Sequence, residues 1–305
     1  MDLSIIVPTF NGAATLPTLL SSICRAKLPS ESEVFVCDDG STQDIRSVLR
    51  RHGEGLPLRY LRQERAGHRA AAARNMGLAA AKGNVILFLD DDVSFAPDLI
   101  TEHTDAHAKG ASRIVLGYRH RLSSATQLER LDRTSQDYPN DHRVGIFGRE
   151  GDLLANDDAP WYYAYTCNHS ISASCLPEFF DESFIGWGCE DIEFSYRLWR
   201  NGADIVCNPK AVVLHIDPPV LSDPFISRKR GKPANFTPVI LNTVRMILKF
   251  PDDAVLQARL RPTLIGFTIE NGECIPNPAA NEVERILAWG RERIEGEAPN
   301  APKHR

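Results

Sequence analysis

The chain has no long apolar run, no paired-cysteine pattern and no excess of positive charge, and each absence removes a class of function. No stretch of the sequence reaches the ~18–20 consecutive apolar residues that span a bilayer. The opening Met1-Asp2-Leu3-Ser4 has no basic segment ahead of a hydrophobic stretch and no cleavage site, so no secretory leader is expected. The seven cysteines are an odd number without Cys-x-x-Cys spacing. They read as reduced thiols of a cytoplasmic protein, Cys37 and Cys207 among them as buried apolar fillers. A net charge of −5 argues against a general nucleic-acid binder. No internal repeat is present. What remains is an ordinary globular composition on 305 residues, enough for a sizeable core.

Short apolar strands alternate with helical periodicity. Leu3–Val7, Glu33–Cys37, Leu58–Leu61 and Val85–Leu89 read as strands. Between them, Leu16, Leu19, Leu20 and Ile23 recur at helical spacing, with Pro17 tolerable in the first turn, and Ala70–Ala81 supplies small residues for close packing on a sheet. This alternation predicts an α/β fold with a mostly parallel sheet flanked by helices. A helix over 96–109 carries His103 and His107 four apart; without a third ligand nearby, a solvated face is expected rather than a metal site. A strand over Arg113–Tyr118 follows, and then the texture changes. Residues 119–160 are charged and weakly periodic, with one short helix at 125–133; Thr166–Ser172 and Ala211–Ile216 are strands and Glu190–Arg200 a helix. The division expected is 1–118, 119–217 and a helical extension over 218–305 with helices near 237–250 and 281–295 and a disordered end.

The first, second and fourth strands end in Pro8-Thr9-Phe10-Asn11-Gly12, Asp38-Asp39-Gly40-Ser41-Thr42 and Asp90-Asp91-Asp92. In an open parallel sheet, ligands bind beyond the carboxyl ends of the strands, so these clusters share one edge. Three adjacent carboxylates repel, and a cation relieves that repulsion. Taken alone, the triplet is equally well a solvated acidic turn.

With Ala73-Arg74-Asn75, Gly186-Trp187-Gly188-Cys189-Glu190-Asp191 and His215 added in order, the sequence resembles the family-2 inverting glycosyltransferases of the GT-A-type, Rossmann-like fold, over roughly residues 4–217. The resemblance implies a nucleotide-sugar donor, most often a UDP-sugar, with Mn²⁺ or Mg²⁺ on its diphosphate. It implies that Pro8 and Thr9 shape the base wall beside Asn11, that Asp39 reads the base, and that Arg74, Asp90 and Asp91 face the nucleotide. Asp92 and His215 would bind the metal, and carboxylate oxygens are hard ligands suited to such a hard cation. Asp191 matches the general base, Glu190 an acceptor or loop contact, and Gly186 and Trp187 the acceptor platform. Each residue also has a plain structural reading: Asp39 as a turn cap, Arg74 as a surface ion pair, Trp187 and Trp161-Tyr162-Tyr163 as core, and Glu190 and Asp191 as acids favoured by a helix N-terminus. Position 189 departs from the family's usual glycine. The rival activities are nucleotidyl transfer, whose glycine-rich phosphate loop is missing after the first strand, and nucleotide-sugar binding without catalysis. The acceptor stays open among carbohydrate, lipid-linked sugar, protein and natural product. Finally, Arg228, Lys229, Arg230 and Lys232 form a basic run. It is expected to close as a lid over a diphosphate, with peripheral contact to anionic lipid as the competing use.

Overall fold

The computed structural model describes residues 2–108, 112–122, 141, 143–147, 154, 156–175, 178–216 and 236–297. The short helix expected at 125–133, the basic run at 228–232 and the last eight residues lie outside them.

The elements run β1 (Leu3–Thr9), α1 (Leu16–Arg25), β2 (Ser32–Asp38), α2 (Ile45–His52), β3 (Leu58–Arg62), α3 (Ala70–Ala80), β4 (Val85–Leu89), β5 (Val93–Phe95), α4 (Leu99–His107) and β6 (Arg113–Leu122). After these come α5 (Val144–Phe147), β7 (Asn168–Ser172), α6 (Glu190–Arg200), β8 (Asp204–Ile216), α7 (Thr237–Lys249), α8 (Ala254–Leu260), β9 (Phe267–Glu270), β10 (Glu273–Pro276) and α9 (Val283–Gly296). Eight strands form one sheet in the order β3-β2-β1-β4-β7-β6-β8-β5, and β9 and β10 form a separate hairpin. The β3-β2-β1-β4 half is wholly parallel, while β7 pairs antiparallel with both β4 and β6. The expected division at 118/119 falls inside β6.

Period-2 alternation sorts the apolar residues onto two faces. Ile5, Val7, Val36 and Leu87 pack under α1, α2 and α4, whereas Ile6, Phe35, Phe88 and Ile171 pack under α3 and α6. Helix starts follow local chemistry. Asp44 and Asp253 cap α2 and α8 by accepting the backbone N–H of Ser47 and Leu256. Pro17 and Pro238 sit in first turns, where no N–H is needed. Trp161 is fully buried in the core, so it fills space and lines no groove. Cys37 is buried as expected, while Cys207 is only half-buried.

The α4 histidines correct the expectation of a solvated face. The strand beneath them is polar, Asn168-His169-Ser170-Ile171-Ser172, and α4 lies on it. His103 is fully buried, its ring nitrogens 2.8 Å from Ser170 Oγ and 2.8 Å from Asn168 Oδ1. His107 meets Ser172 Oγ at 3.0 Å and Ser170 Oγ at 2.8 Å. Asn168 in turn donates to the carbonyls of Tyr118 and Ala211, each at 2.9 Å, so this polar layer ties α4, β6, β7 and β8 together. Burial holds the pKa of His103 down to about 4 and that of His169, whose ring nitrogens have no hydrogen-bond partner, down to about 3.

A base with a lowered native pKa takes up fewer protons folded than unfolded, so its contribution to stability is lost as pH falls below the unfolded value. Urea unfolding should therefore show about 2 kcal/mol less stability per buried histidine at pH 5 than at pH 7.5. His169→Phe should recover one such share at pH 5 and change little at pH 7.5; equal slopes for both proteins would refute this.

Candidate active site

Three strands of the parallel half deliver their polar ends side by side. Asn11, in a left-handed conformation after β1, accepts through Oδ1 from Thr42 N at 2.9 Å and Thr42 Oγ1 at 3.1 Å. It therefore knits the loop after β1 to the loop after β2. Asp38 accepts from Ser41 N at 2.8 Å and caps the turn alone, leaving Asp39 for other work. Asp39 accepts from Gln63 Nε2 (2.7 Å), Arg65 Nη1 (2.6 Å) and the Arg69 backbone N–H (2.9 Å). The Arg65 guanidinium lies 3.6 Å from the centre of the exposed Phe10 ring, beyond Pro8 and Thr9. The sequence offered no role for Gln63 and Arg65, and Phe10 stood in the first cluster without one; an aromatic residue inside that polar cluster was the available signal.

Asp91 turns inward, where Thr9 Oγ1 donates to it. Burial, then the charge of Asp92, raises its pKa well above the usual carboxylate range. Gly12 makes room for this contact, since a Cβ there would stand 2.1 Å from Asp91 Oδ2. Its neighbours face the cleft. β5 starts directly after the triplet, and its first residue, Val93, pairs with His215 of β8. That register brings Asp92 Oδ1 within 3.3 Å of His215 Nε2. Asp90, Asp92 and His215 each offer one ligand atom, all within 4.8 Å of one another. Adjacent ligands of an octahedral Mg²⁺ stand about 3 Å apart and opposite ones about 4.2 Å, so these atoms are within closing reach of one ion. The carboxylates suit Mn²⁺ or Mg²⁺ and the imidazole suits a transition ion, so the residues fit a divalent metal.

Arg74 is buried, which corrects its reading as a surface ion pair, and both arms of its guanidinium meet carboxylates. It donates to Asp90 Oδ1 at 3.2 Å and to Glu190 Oε1 at 3.0 Å. It thus links the triplet to the start of α6. Asp191, the next residue, is held at 2.9 Å by the N–H of Ile192 and at 3.4 Å by that of Thr166. Burial and the charge of Glu190 push its pKa up to about 7, against the opposing pull of Arg74.

The loop before α6 is bent through three positive φ angles, at Gly186 (91°), Gly188 (94°) and Cys189 (71°). Cys189 thus adopts a conformation that ordinarily favours glycine, and its thiol lies 3.4 Å from Thr243 Oγ1. Helix α7 holds this loop from behind. Asn242 donates through Nδ2 to the carbonyls of Ile185 (3.2 Å) and Gly188 (2.9 Å). Pro238 and Val239 press on Gly186 and Gly188 so closely that a Cβ would stand 2.6 and 2.9 Å from them. From the other side, Gly186 N–H donates to the His68 carbonyl at 2.9 Å, and His68 Nδ1 lies 3.0 Å from Gly186 O. Trp187, at the crest, is 52% exposed. The C-terminal extension therefore braces the loop, a role invisible to sequence periodicity.

Comparison with known proteins agrees with this layout. The sequence model described as "Glycosyl transferase family 2" matches residues 4–162. The validoxylamine A glucosyltransferase of Streptomyces hygroscopicus subsp. jinggangensis is 32% identical over 82% of this chain and 61% of its own length. The chondroitin synthase of Escherichia coli is 30% identical over 71% of the chain and 35% of its own length. The chain thus spans between about a third and three-fifths of these relatives. Among solved structures, Staphylococcus aureus TarS residues 1–349 in complex with UDP-GlcNAc superpose with a TM-score of 0.62 at 18% identity, over 87% of this chain and 70% of that one. The mannosyltransferase PcManGT of Pyrobaculum calidifontis, in complex with GDP-Man and Mn²⁺, gives 0.59 at 18% identity, over 99% and 76%. The fold is of the GT-A type. Among the described residues, no helix is long and apolar enough to cross a membrane.

Asn242→Leu keeps the branched outline of the side chain and strips its donors from the loop. Leaving two part-buried carbonyls unpaired should cost about 1–3 kcal/mol, read as a lowered urea midpoint. Unchanged stability would show that the loop does not rely on this amide.

Proposed function

The chain belongs to glycosyltransferase family 2, and from that premise we propose that it transfers a sugar, with inversion, from a nucleotide-sugar to an acceptor hydroxyl. The observation that carries this reading is the meeting of Asp90, Asp92 and His215 on one side of Arg74 with Glu190 and Asp191 on the other. The donor is a UDP-sugar: Asp39 stands with Arg65 and Phe10 where a base would enter, and the carboxylate can accept the imide N–H of uracil. Glucosyl transfer by the validoxylamine relatives and the UDP-GlcNAc complex of TarS support a hexose or N-acetylhexosamine. The acceptor surface is the Trp187 crest with Gly186, where a ring can pack on the apolar face of a sugar. The division of labour is a donor half over 1–118, an acceptor half over 119–217, and an extension that steadies it. Seven free cysteines fit a reducing, cytoplasmic setting.

In this mechanism Asp191 accepts the proton of the acceptor hydroxyl as its oxygen attacks the anomeric carbon from the face opposite the diphosphate. One carboxylate suffices, because the departing group needs charge neutralisation rather than a proton. A divalent ion held by Asp90, Asp92 and His215 would supply that neutralisation as a Lewis acid. Arg74 pairs with Glu190 beside Asp191, and the Thr166 and Ile192 amides orient the Asp191 carboxylate. Asp91 holds the triplet in shape through Thr9.

A chelator should abolish transfer and Mn²⁺ or Mg²⁺ restore it, and Asp92→Asn should lose metal-dependent UDP binding. Full turnover in EDTA would overturn the metal assignment.

The base must be ionised, so turnover should rise with pH through about 7 and level off above it. Asp191→Asn should lower turnover roughly a hundredfold or more and leave the affinity for UDP nearly unchanged. If Asp191→Asn turns over normally while Glu190→Gln is dead, the two roles are reversed.

A further inference from the structure

Around the nucleotide edge of the sheet, arginines come paired. Arg62 meets Asp38 at 3.4 Å, Arg65 meets Asp39 at 2.6 Å, Arg74 meets Asp90 and Glu190, and Arg143 meets Asp141 at 2.8 Å. Arg119 breaks the pattern. Its backbone N–H donates to Asp141 Oδ2 at 2.8 Å, which fixes the main chain. Among the described residues, its guanidinium has no hydrogen-bond or ion-pair partner, and its Nε is shut away from solvent without an acceptor. The one ring it faces is that of Tyr165, 5.5 Å from the guanidinium carbon.

Position gives this cation a purpose. Arg119 is the register partner of Val213, two residues before His215 on the neighbouring strand. Tyr165, the ring it faces, directly precedes Thr166, whose backbone N–H holds Asp191 at 3.4 Å. The guanidinium thus sits on the segment that joins the strand of His215 to the support of Asp191. A partly desolvated cation without a partner destabilises a fold. That cost is offset only when an anion arrives, and the reaction proposed above brings one.

We propose that Arg119 binds an oxyanion of the nucleotide-sugar donor, either the β-phosphate or a carboxylate on the sugar being transferred. The assignment rests on the nucleotide-sugar reading of the site. A planar guanidinium offers paired donors that match either group, a geometry an ammonium cannot reproduce. Arg119 thereby contacts the donor from the side opposite the β5 turn that carries Asp92.

The test is calorimetric titration of the wild type, Arg119→Met and Arg119→Lys with UMP, UDP, UDP-glucose and UDP-glucuronate, all with Mn²⁺, beside thermal midpoints without ligand. The unliganded midpoint of Arg119→Met should stay level or rise, because the lost charge has no ion-pair partner among the described residues. If the β-phosphate is the partner, UDP binds Arg119→Met at least tenfold more weakly while UMP is unaffected. If a sugar carboxylate is the partner, UDP is unaffected and UDP-glucuronate alone loses at least tenfold. In either case Arg119→Lys restores only part of the loss. Unchanged binding of all four ligands by Arg119→Met overturns the assignment, as does a lowered midpoint with uniformly weaker binding. A wild type that binds none of the four overturns the nucleotide-sugar reading itself, and this assignment with it.

Discussion

Crowding of negative charge at one edge of the sheet is the constraint the rest of the structure answers. Asp38, Asp39, Asp90, Asp91, Asp92, Glu190 and Asp191 gather there because parallel strands and a helix N-terminus all deliver their ends to the same side. Each acid is handled differently. Asp38 and Asp39 are paired with arginines from the end of β3 and the segment after it. Asp91 is turned inward to a hydroxyl, and Asp90 and Glu190 share Arg74. Asp92 stands beside His215, in the geometry a divalent cation would complete. The architecture sorts like charges by what stands opposite them, and chemistry is possible where the balance is left to a ligand.

Much of this was legible in the sequence, for physical reasons. A strand buried on both faces must be a continuous apolar run, so Val85–Leu89 and the acids after it announced themselves. Helix Glu190–Arg200 was readable because acids crowd its first turn and apolar residues recur behind them. The packed histidines of α4 were not readable, because their spacing is that of any surface helix. Only the polar strand Asn168–Ser172, far along the chain, explains them. Asn242 was hidden for a similar reason: an asparagine in an amphipathic helix signals nothing until the carbonyls it meets are known. Arg119 was equally silent, since an arginine is recognised as unpaired only after its surroundings are assembled.

Family membership and fold constrain different things. The relatives are a validoxylamine A glucosyltransferase and a chondroitin synthase, and the chain spans only part of each. What they have in common with it extends over 82% and 71% of the chain. The Gly186–Cys189 loop has a backbone forced through three left-handed residues and is supported by a helix more than forty residues further along the chain.

That support carries a consequence for modularity. The Gly186–Cys189 loop has no stable shape of its own, since its carbonyls are satisfied by Asn242 and its glycines are moulded against Pro238 and Val239. Loop and helix α7 therefore form one transplantable unit, though they are separate in sequence. A chimera that exchanged the loop alone would place foreign side chains on a mismatched mould. The shape of this loop would have to be grafted as two segments, and the same coupling would tie their divergence together in evolution.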